Sequence, residues 1–228
     1  MRQGMPAVEE ETARKAVHEL QAYWKRVDSA KEENLFGDRD ENIFLTLRVR
    51  NKMKENTALL KVDLPHPKKE NVKACFIGEG KDMKSVKKVI TVAELVSDYR
   101  QYKQKRELCK AFDLFFCLDK DHAEVKRAFG KSFFRRSKYP VVLDSRDEES
   151  TDCKIEKHLK ASFMRIPSGK TMSCRIGGIS QSEGDLVENI CEAVPKVVRM
   201  IDGEWENIEW IGLTFPNIPT LLLFGNRQ

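Results

Sequence analysis

The sequence predicts an α+β domain assembled from both ends of the chain, with an α/β domain inserted between them. Three observations lead there. Near both ends apolar residues alternate with polar ones, as in strands with one buried face. The middle instead holds nearly continuous apolar runs, "VKACFI", "FDLFFCL" and "PVVL", which suit strands buried on both faces of a parallel sheet. Helical patterns fall between those runs, the order expected of an α/β unit. The split domain is placed at 1–65 plus 165–228 and the insert at 66–164.

In chain order, Ala13, Val17, Leu20, Trp24 and Val27 recur at spacings of four and three, which predicts one buried face of a helix. In "NIFLTLRV", Ile43, Leu45, Leu47 and Val49 alternate with Phe44, Thr46 and Arg48, a half-buried strand. After the first central run, one helical segment carries Val92, Leu95, Tyr99, Tyr102 and Cys109, and another covers about 121–129. "LDSRDEESTD", with Asp144, Asp147, Glu148, Glu149 and Asp152, reads as a polar loop or hinge. "GKTMSCRIGG" predicts a strand with Met172, Cys174 and Ile176 on one side. A helix with Leu186, Ile190, Val194, Val197 and Ile201 on one face follows, and Pro195 is expected to kink it or restart it. "ENIEWIGLTF" and "TLLLF" are closing strands. Crossings near 65–67 and 163–167 would form a two-strand hinge.

Of the 228 residues, 40% are hydrophobic, enough for packed cores, and 34% are charged. The net charge of +5 permits a polyanionic partner without requiring one. The six cysteines form no C-x-x-C pair and mostly sit in apolar segments, so they read as reduced thiols of an intracellular protein with no zinc site. Glu9, Glu10 and Glu11 argue against a secretory signal, and the longest apolar stretch is far too short to span a bilayer.

Catalytic readings fail one by one. "PSGKT" (167–171) ends like a Walker A loop, but Met164 stands where its first glycine belongs, and a strand follows in place of a helix. "IGEG" (77–80) lacks the third glycine of a dinucleotide fingerprint, with Met83 at that position. "SVKK" (85–88) lacks the companion motifs of S-x-x-K enzymes. None of His18, His66, His122 and His158 sits beside a nucleophile in a recognisable turn. No enzyme, cofactor or metal is expected.

"KRAFGKSFFRRSKY" (126–139) is different: it is basic throughout and threaded with aromatics. Gly130 with Lys131 and Ser132 ends the preceding helix. Phe133, Phe134 and Tyr139 can anchor the segment while Lys131, Arg135, Arg136 and Lys138 face outwards as a compact basic patch. Nucleic-acid phosphates, bulk solvent and an acidic protein partner all remain open as its counterpart.

Several segments resemble the ribosomal protein L-one family. "VDLPHP" (62–67) is similar to its domain-crossing segment, "ENIFLTLRV" (41–49) to its first strand, and "RIGGISQSEGDLVENICEA" (175–193) to its isoleucine-glycine strand end and following helix with Glu188 and Asn189. "FDLFFCLDKD", "FGKSFFRRSKYPVVL" and "WENIEWIGLTF" resemble the eukaryotic nucleolar ribosome-assembly branch. The resemblance covers about 10–225. It implies a split α+β domain with an inserted three-layer, Rossmann-like α/β domain. It also implies a non-catalytic monomer in the nucleolus or nucleus that binds ribosomal or pre-ribosomal RNA and pre-ribosomal particle proteins. By position, it assigns RNA contacts to Glu41, Thr46, Ser180 and Thr214; Lys170 and Arg175 stand nearby and could add charge. The sequence departs from the family pattern at Gly178 (a lysine there), Gln181 (a phenylalanine) and Phe215-Pro216 (methionine-glycine). Two rivals follow: an interaction module that keeps the fold without RNA binding, and a nucleotide-dependent enzyme using the insert.

Overall fold

The computed structural model describes residues 8–30, 41–54, 56–68, 72–79, 83–134, 136, 138–145, 150–215 and 218–225. The described residues fall into two compact units. The first lies within Met1–Asn56, Leu60–Lys68 and Ala161–Gln228, the second within Thr57–Leu59 and Lys69–Lys160.

In the first unit, helix α1 (Glu10–Ala30) is followed by strand β1 (Asn42–Val49) and by β2 (Asn56–Val62), whose Thr57–Leu59 group with the second unit. After the chain returns come β7 (Ser162–Ile166), β8 (Thr171–Gly178), helix α7 (Glu183–Arg199), β9 (Ile208–Thr214) and β10 (Leu221–Gly225). Four strands form an antiparallel sheet in the order β10-β9-β1-β8, and β2 pairs with β7. The alternation seen in the sequence becomes the core: Ile43, Leu45, Leu47 and Val49 are at most 1% exposed. They pack with Ala13, Val17 and Leu20 of α1 and with Leu186, Ile190, Val194 and Val197 of α7. Burying each such side chain contributes about 1.5–3 kcal/mol before the entropy cost is set against it.

Helix α7 begins where Ser182 accepts a hydrogen bond from the Asp185 N–H (3.1 Å), with Glu183 and Asp185 in its first turn. The expected restart at Pro195 does not occur. Pro195 lies inside one continuous helix, whose buried face supplies the packing that outweighs one missing N–H.

The second unit holds β3 (Ala74–Ile77), β4 (Lys88–Ile90), β5 (Leu114–Leu118) and β6 (Pro140–Leu143) in one parallel sheet, in the order β4-β3-β5-β6. Its helices are α2 (Val92–Ser97), α3 (Tyr102–Ala111), α4 (His122–Phe129), α5 (Lys131–Phe134) and α6 (Thr151–Leu159). Phe115 points to one face of the sheet, edge-on to Phe129 and Phe133 at 5.2 Å each. Its neighbour Phe116 points to the other face, against His158 of α6. Helices on both faces explain why the strands are apolar throughout.

The sequence reading differs from this unit in four places, the first being Lys131, which opens α5 after Gly130 caps α4 and does not end the preceding helix. The segment from Val92 to Cys109 is two helices, because Thr91 and Glu94 form a capping box at α2 and a new cap begins at Gln101. Strand β4 was not anticipated. The polar run ending in Asp152 is not loop to its end: Ser150 accepts from the Cys153 N–H and opens α6.

Candidate nucleic-acid interface

In the first unit, the sheet face opposite the helices is set by strand alternation. Phe44 of β1 lies between Arg175 of β8 and Thr214 of β9, Thr46 between Ser173 and Gly212, and Arg48 between Thr171 and Trp210. Thr46, Arg175 and Thr214 therefore share one face. Gly212 has no room for a side chain, since a Cβ there would lie 2.6 Å from the Leu221 carbonyl oxygen. Glu41 and Ser180 meet at the end of that sheet, where the Ile179 N–H donates to the Glu41 carbonyl at 2.9 Å. Lys170 does not join them. Its carbonyl accepts from the Val49 N–H at the far end of β1, eight residues and about 26 Å from Glu41 at the strand rise.

Accessibility sorts these residues further. Ser180 is exposed, while Glu41, Arg175 and Thr214 are half-buried. Thr214 Oγ1 lies 3.4 Å from Thr220 Oγ1. Thr46 is only 9% exposed, so its neighbours leave little of it to touch.

The turn after β8 is held by the residues that depart from the family pattern. Gln181 Oε1 accepts from the Gly178 N–H at 2.8 Å, and its Nε2 donates to the His66 carbonyl at 3.0 Å. Gln21 Nε2 donates to the Gln181 carbonyl at 2.9 Å. A Cβ on Gly177 would lie 2.2 Å from Gln181 Oε1, so glycine is required there. Phe215 is 3% exposed and edge-on to Trp24 at 5.2 Å. Pro216 lies outside the described residues.

Behind this turn runs the segment 63–68. Asn189, fully buried, accepts from the His66 N–H (2.9 Å) and donates to the carbonyls of His66 (2.7 Å) and Ile176 (3.0 Å). His66 Nε2 sits 2.7 Å from Glu188, and Lys68 Nζ donates to Asn42 Oδ1 at 2.9 Å, beside Glu41. Sequence reasoning passed over Lys68, Arg48 and Ser173. The period-2 pattern that placed Thr46 would have found Arg48, which pairs with Glu209 at 3.1 Å.

In the second unit the basic segment is only partly as expected. Phe133 is buried and stacked on Phe129 at 3.9 Å, and Phe134 stacks on Tyr139 at 5.1 Å. Lys131 and Arg136 are exposed, the latter on a turn whose N–H donates to the Phe133 carbonyl at 3.0 Å. Arg135 lies outside the described residues. Lys138 does not face outwards. Its Nζ donates to the carbonyls of Cys109 (2.7 Å) and Phe112, at the C-terminal end of α3. Helix ends leave carbonyls without intrahelical partners and favour a cation, so Lys138 serves the fold.

Burial pushes the Cys75, Cys117 and Cys174 thiols up to about 12. "PSGKT" is a turn leading into β8, not a loop opening a helix. Among the described residues, no group of three His, Cys, Asp or Glu is placed to hold a metal ion, and no helix is long and apolar enough to cross a membrane.

Comparison with known proteins gives a consistent picture. The chain is 20% identical to the Arabidopsis thaliana "Large ribosomal subunit protein uL1y" over 156 residues, 67% of this chain and 71% of that protein. It is 29% identical to the Pyrococcus horikoshii "Large ribosomal subunit protein uL1" over 147 residues, 63% of this chain and 66% of that one. It is 26% identical to the "Putative ribosome biogenesis protein C8F11.04" of Schizosaccharomyces pombe over 117 residues, half of this chain and 31% of that longer protein. The family model described as "Ribosomal protein L1p/L10e family" matches residues 20–217, nearly the whole of both units, and this chain belongs to that family.

Proposed function

We propose that this chain binds pre-ribosomal RNA without catalysis and acts in ribosome biogenesis, in the nucleolus, as a monomer associated with pre-ribosomal particle proteins. One observation carries the reading. Glu41, Arg175, Ser180 and Thr214, which come from three separate stretches of sequence, gather at one end of a single sheet. A rigid sheet end lined with a carboxylate, a guanidinium and hydroxyls suits recognition of a folded RNA by shape, 2′-hydroxyls and phosphates. Lys131, Arg136 and the adjacent Arg135 add phosphate contacts from the second unit, while Lys170 stands too far along β1 to join the sheet end. The two units correspond in this reading to a split α+β domain and an inserted Rossmann-like domain. Similarity to a fission-yeast protein named for ribosome biogenesis supports an assembly role over that of the mature stalk protein. So do the departures at Gly178, Gln181 and Phe215.

Crosslinking tests it directly. The tagged chain, crosslinked to RNA in cells and purified under denaturing conditions, is expected to enrich precursor ribosomal RNA in one cluster of sites. Absence of ribosomal crosslinks would overturn the reading.

A second reading, a protein-interaction module that keeps the fold without RNA binding, is favoured by Phe215. That side chain turns into the core against Trp24, at the position where the family pattern has methionine followed by glycine. Purified particles that hold the chain with no RNA crosslink would favour it.

A further inference from the structure

The basic character of this protein is concentrated in the second unit. Residues 100–138 hold twelve Lys and Arg against five Asp and Glu, an excess of seven where the whole chain has five. The structure sorts these cations into two kinds. Lys105 and Lys138 turn inwards: Lys105 Nζ donates to the Ala128 carbonyl at the end of α4, and Lys138 Nζ to carbonyls at the end of α3. They tie α3 to α4 and to the segment after α5.

The other kind faces solvent. Lys103, Arg106 and Lys110 are exposed and spaced three and four apart, so they form one stripe along α3. Leu108 and Cys109, at most 4% exposed, lie on the opposite side of the helix. None of the three makes an ion pair among the described residues. Helices of the first unit differ, because several of their cations pair with carboxylates one turn away, in Glu10–Arg14, Glu11–Lys15 and Glu192–Lys196. Helix α3 also packs against α5, and the segment of α5 and the turn after it carries exposed Lys131 and Arg136 in the same unit. A stripe of seven residues rises about 10 Å, which matches roughly three phosphates of one strand of a duplex.

We propose that the α3 stripe of Lys103, Arg106 and Lys110 is a second RNA-binding surface that tracks the phosphate backbone of a double-stranded segment. It rests on the RNA-binding reading above and adds a site in the other unit. The two surfaces have different work. The sheet end of the first unit holds mixed hydroxyl and charged groups and can select, whereas the α3 stripe is three cations around one carboxylate, exposed Glu107, and supplies sequence-independent affinity.

The test is binding of the full chain to a mixed-sequence RNA duplex of roughly 20 base pairs and to ribosomal RNA fragments, across a salt series. The variant is Lys103→Gln, Arg106→Gln and Lys110→Gln together, with its fold checked by circular dichroism. Loss of three phosphate contacts is expected to flatten the slope of log duplex affinity against log salt by about 2.7. Duplex affinity near physiological salt is expected to fall about tenfold or more. An unchanged slope with wild-type affinity would overturn the proposal and leave the RNA reading standing. Wild-type protein that binds neither probe would take both down. If the triple variant fails to fold, Arg106→Gln alone is expected to lower the slope by about 0.9, and no change there overturns the stripe just as well.

Discussion

Asn189 offers the sharpest test of how the candidate interface is built. It is fully buried and makes three hydrogen bonds, to His66 N–H, His66 C=O and Ile176 C=O. Through them α7 grips the segment 63–68 and the end of β8, the two stretches that frame the Gly177–Gln181 turn. Replacement by leucine keeps the branched shape and the number of side-chain heavy atoms, at a somewhat larger volume, and removes every bond. The His66 carbonyl retains its bond from Gln181, whereas the His66 N–H and the Ile176 carbonyl each lose the bond that Asn189 makes to them. An orphaned buried backbone group costs about 1–3 kcal/mol, and the apolar side chain returns part of that. Asn189→Leu should therefore destabilise the protein by about 3 kcal/mol. Urea unfolding with a fitted m-value measures it, since an unchanged m would assign the loss to the native state. Asn189→Asp should do at least as badly, because it keeps one acceptor, loses both donors and buries a charge. A loss below about 1 kcal/mol for both variants would refute the claim that Asn189 holds this turn.

Lys138→Met should cost about 1–2 kcal/mol by leaving the α3 carbonyls unpaired, whereas Lys131→Gln and Arg136→Gln should stay within about 0.5 kcal/mol of wild type and lose RNA affinity instead. Thermal melts and salt-dependent binding on the same three proteins check that inversion of roles. Burial raises the Cys174 thiol from 9.0 to about 12. The unfolded chain then ionises first, so the thiol's contribution to stability is intact below pH 9 and lost as pH climbs towards 12. Cys174→Ala should flatten the decline of stability over that window by about 1.4 kcal/mol per pH unit, read from urea midpoints of both proteins at a series of pH values. Native-state alkylation at pH 8 should spare Cys75, Cys117 and Cys174, and mass spectrometry of labelled peptides would show any breach.

Periodicity carried most of the fold because most of its strands and helices bury a regular face. Ile43 to Val49 and Met172 to Ile176 alternate, so their burial was legible, and the phenylalanine-rich run at 112–118 announced a sheet covered on both sides. Elements governed by capping were harder to see. Thr91, Gln101 and Ser150 start helices through hydrogen bonds that no apolar pattern marks, so α3 was merged with α2 and α6 was missed. Pro195 was over-read, since packing along α7 overrides a local defect. For the candidate interface, the sequence supplied residue types and the resemblance supplied positions, but neither could tell partners apart. Lys138 and Lys131 look alike in a basic run. Only the backbone shows that one reaches the unpaired carbonyls at the end of α3 while the other meets water.

The central claim is that the sheet end formed by Glu41, Arg175, Ser180 and Thr214 selects a particular folded RNA. The most direct measurement is equilibrium binding of the purified chain to structured fragments tiled along precursor ribosomal RNA. It would be made on wild type and on the combined Glu41→Gln, Arg175→Gln, Ser180→Ala variant. The account predicts that wild type prefers one fragment by about a hundredfold, near 2.7 kcal/mol, and that the variant loses most of that preference while keeping its salt-dependent affinity. Equal binding of all fragments by wild type, or a preference that survives in the variant, would contradict it.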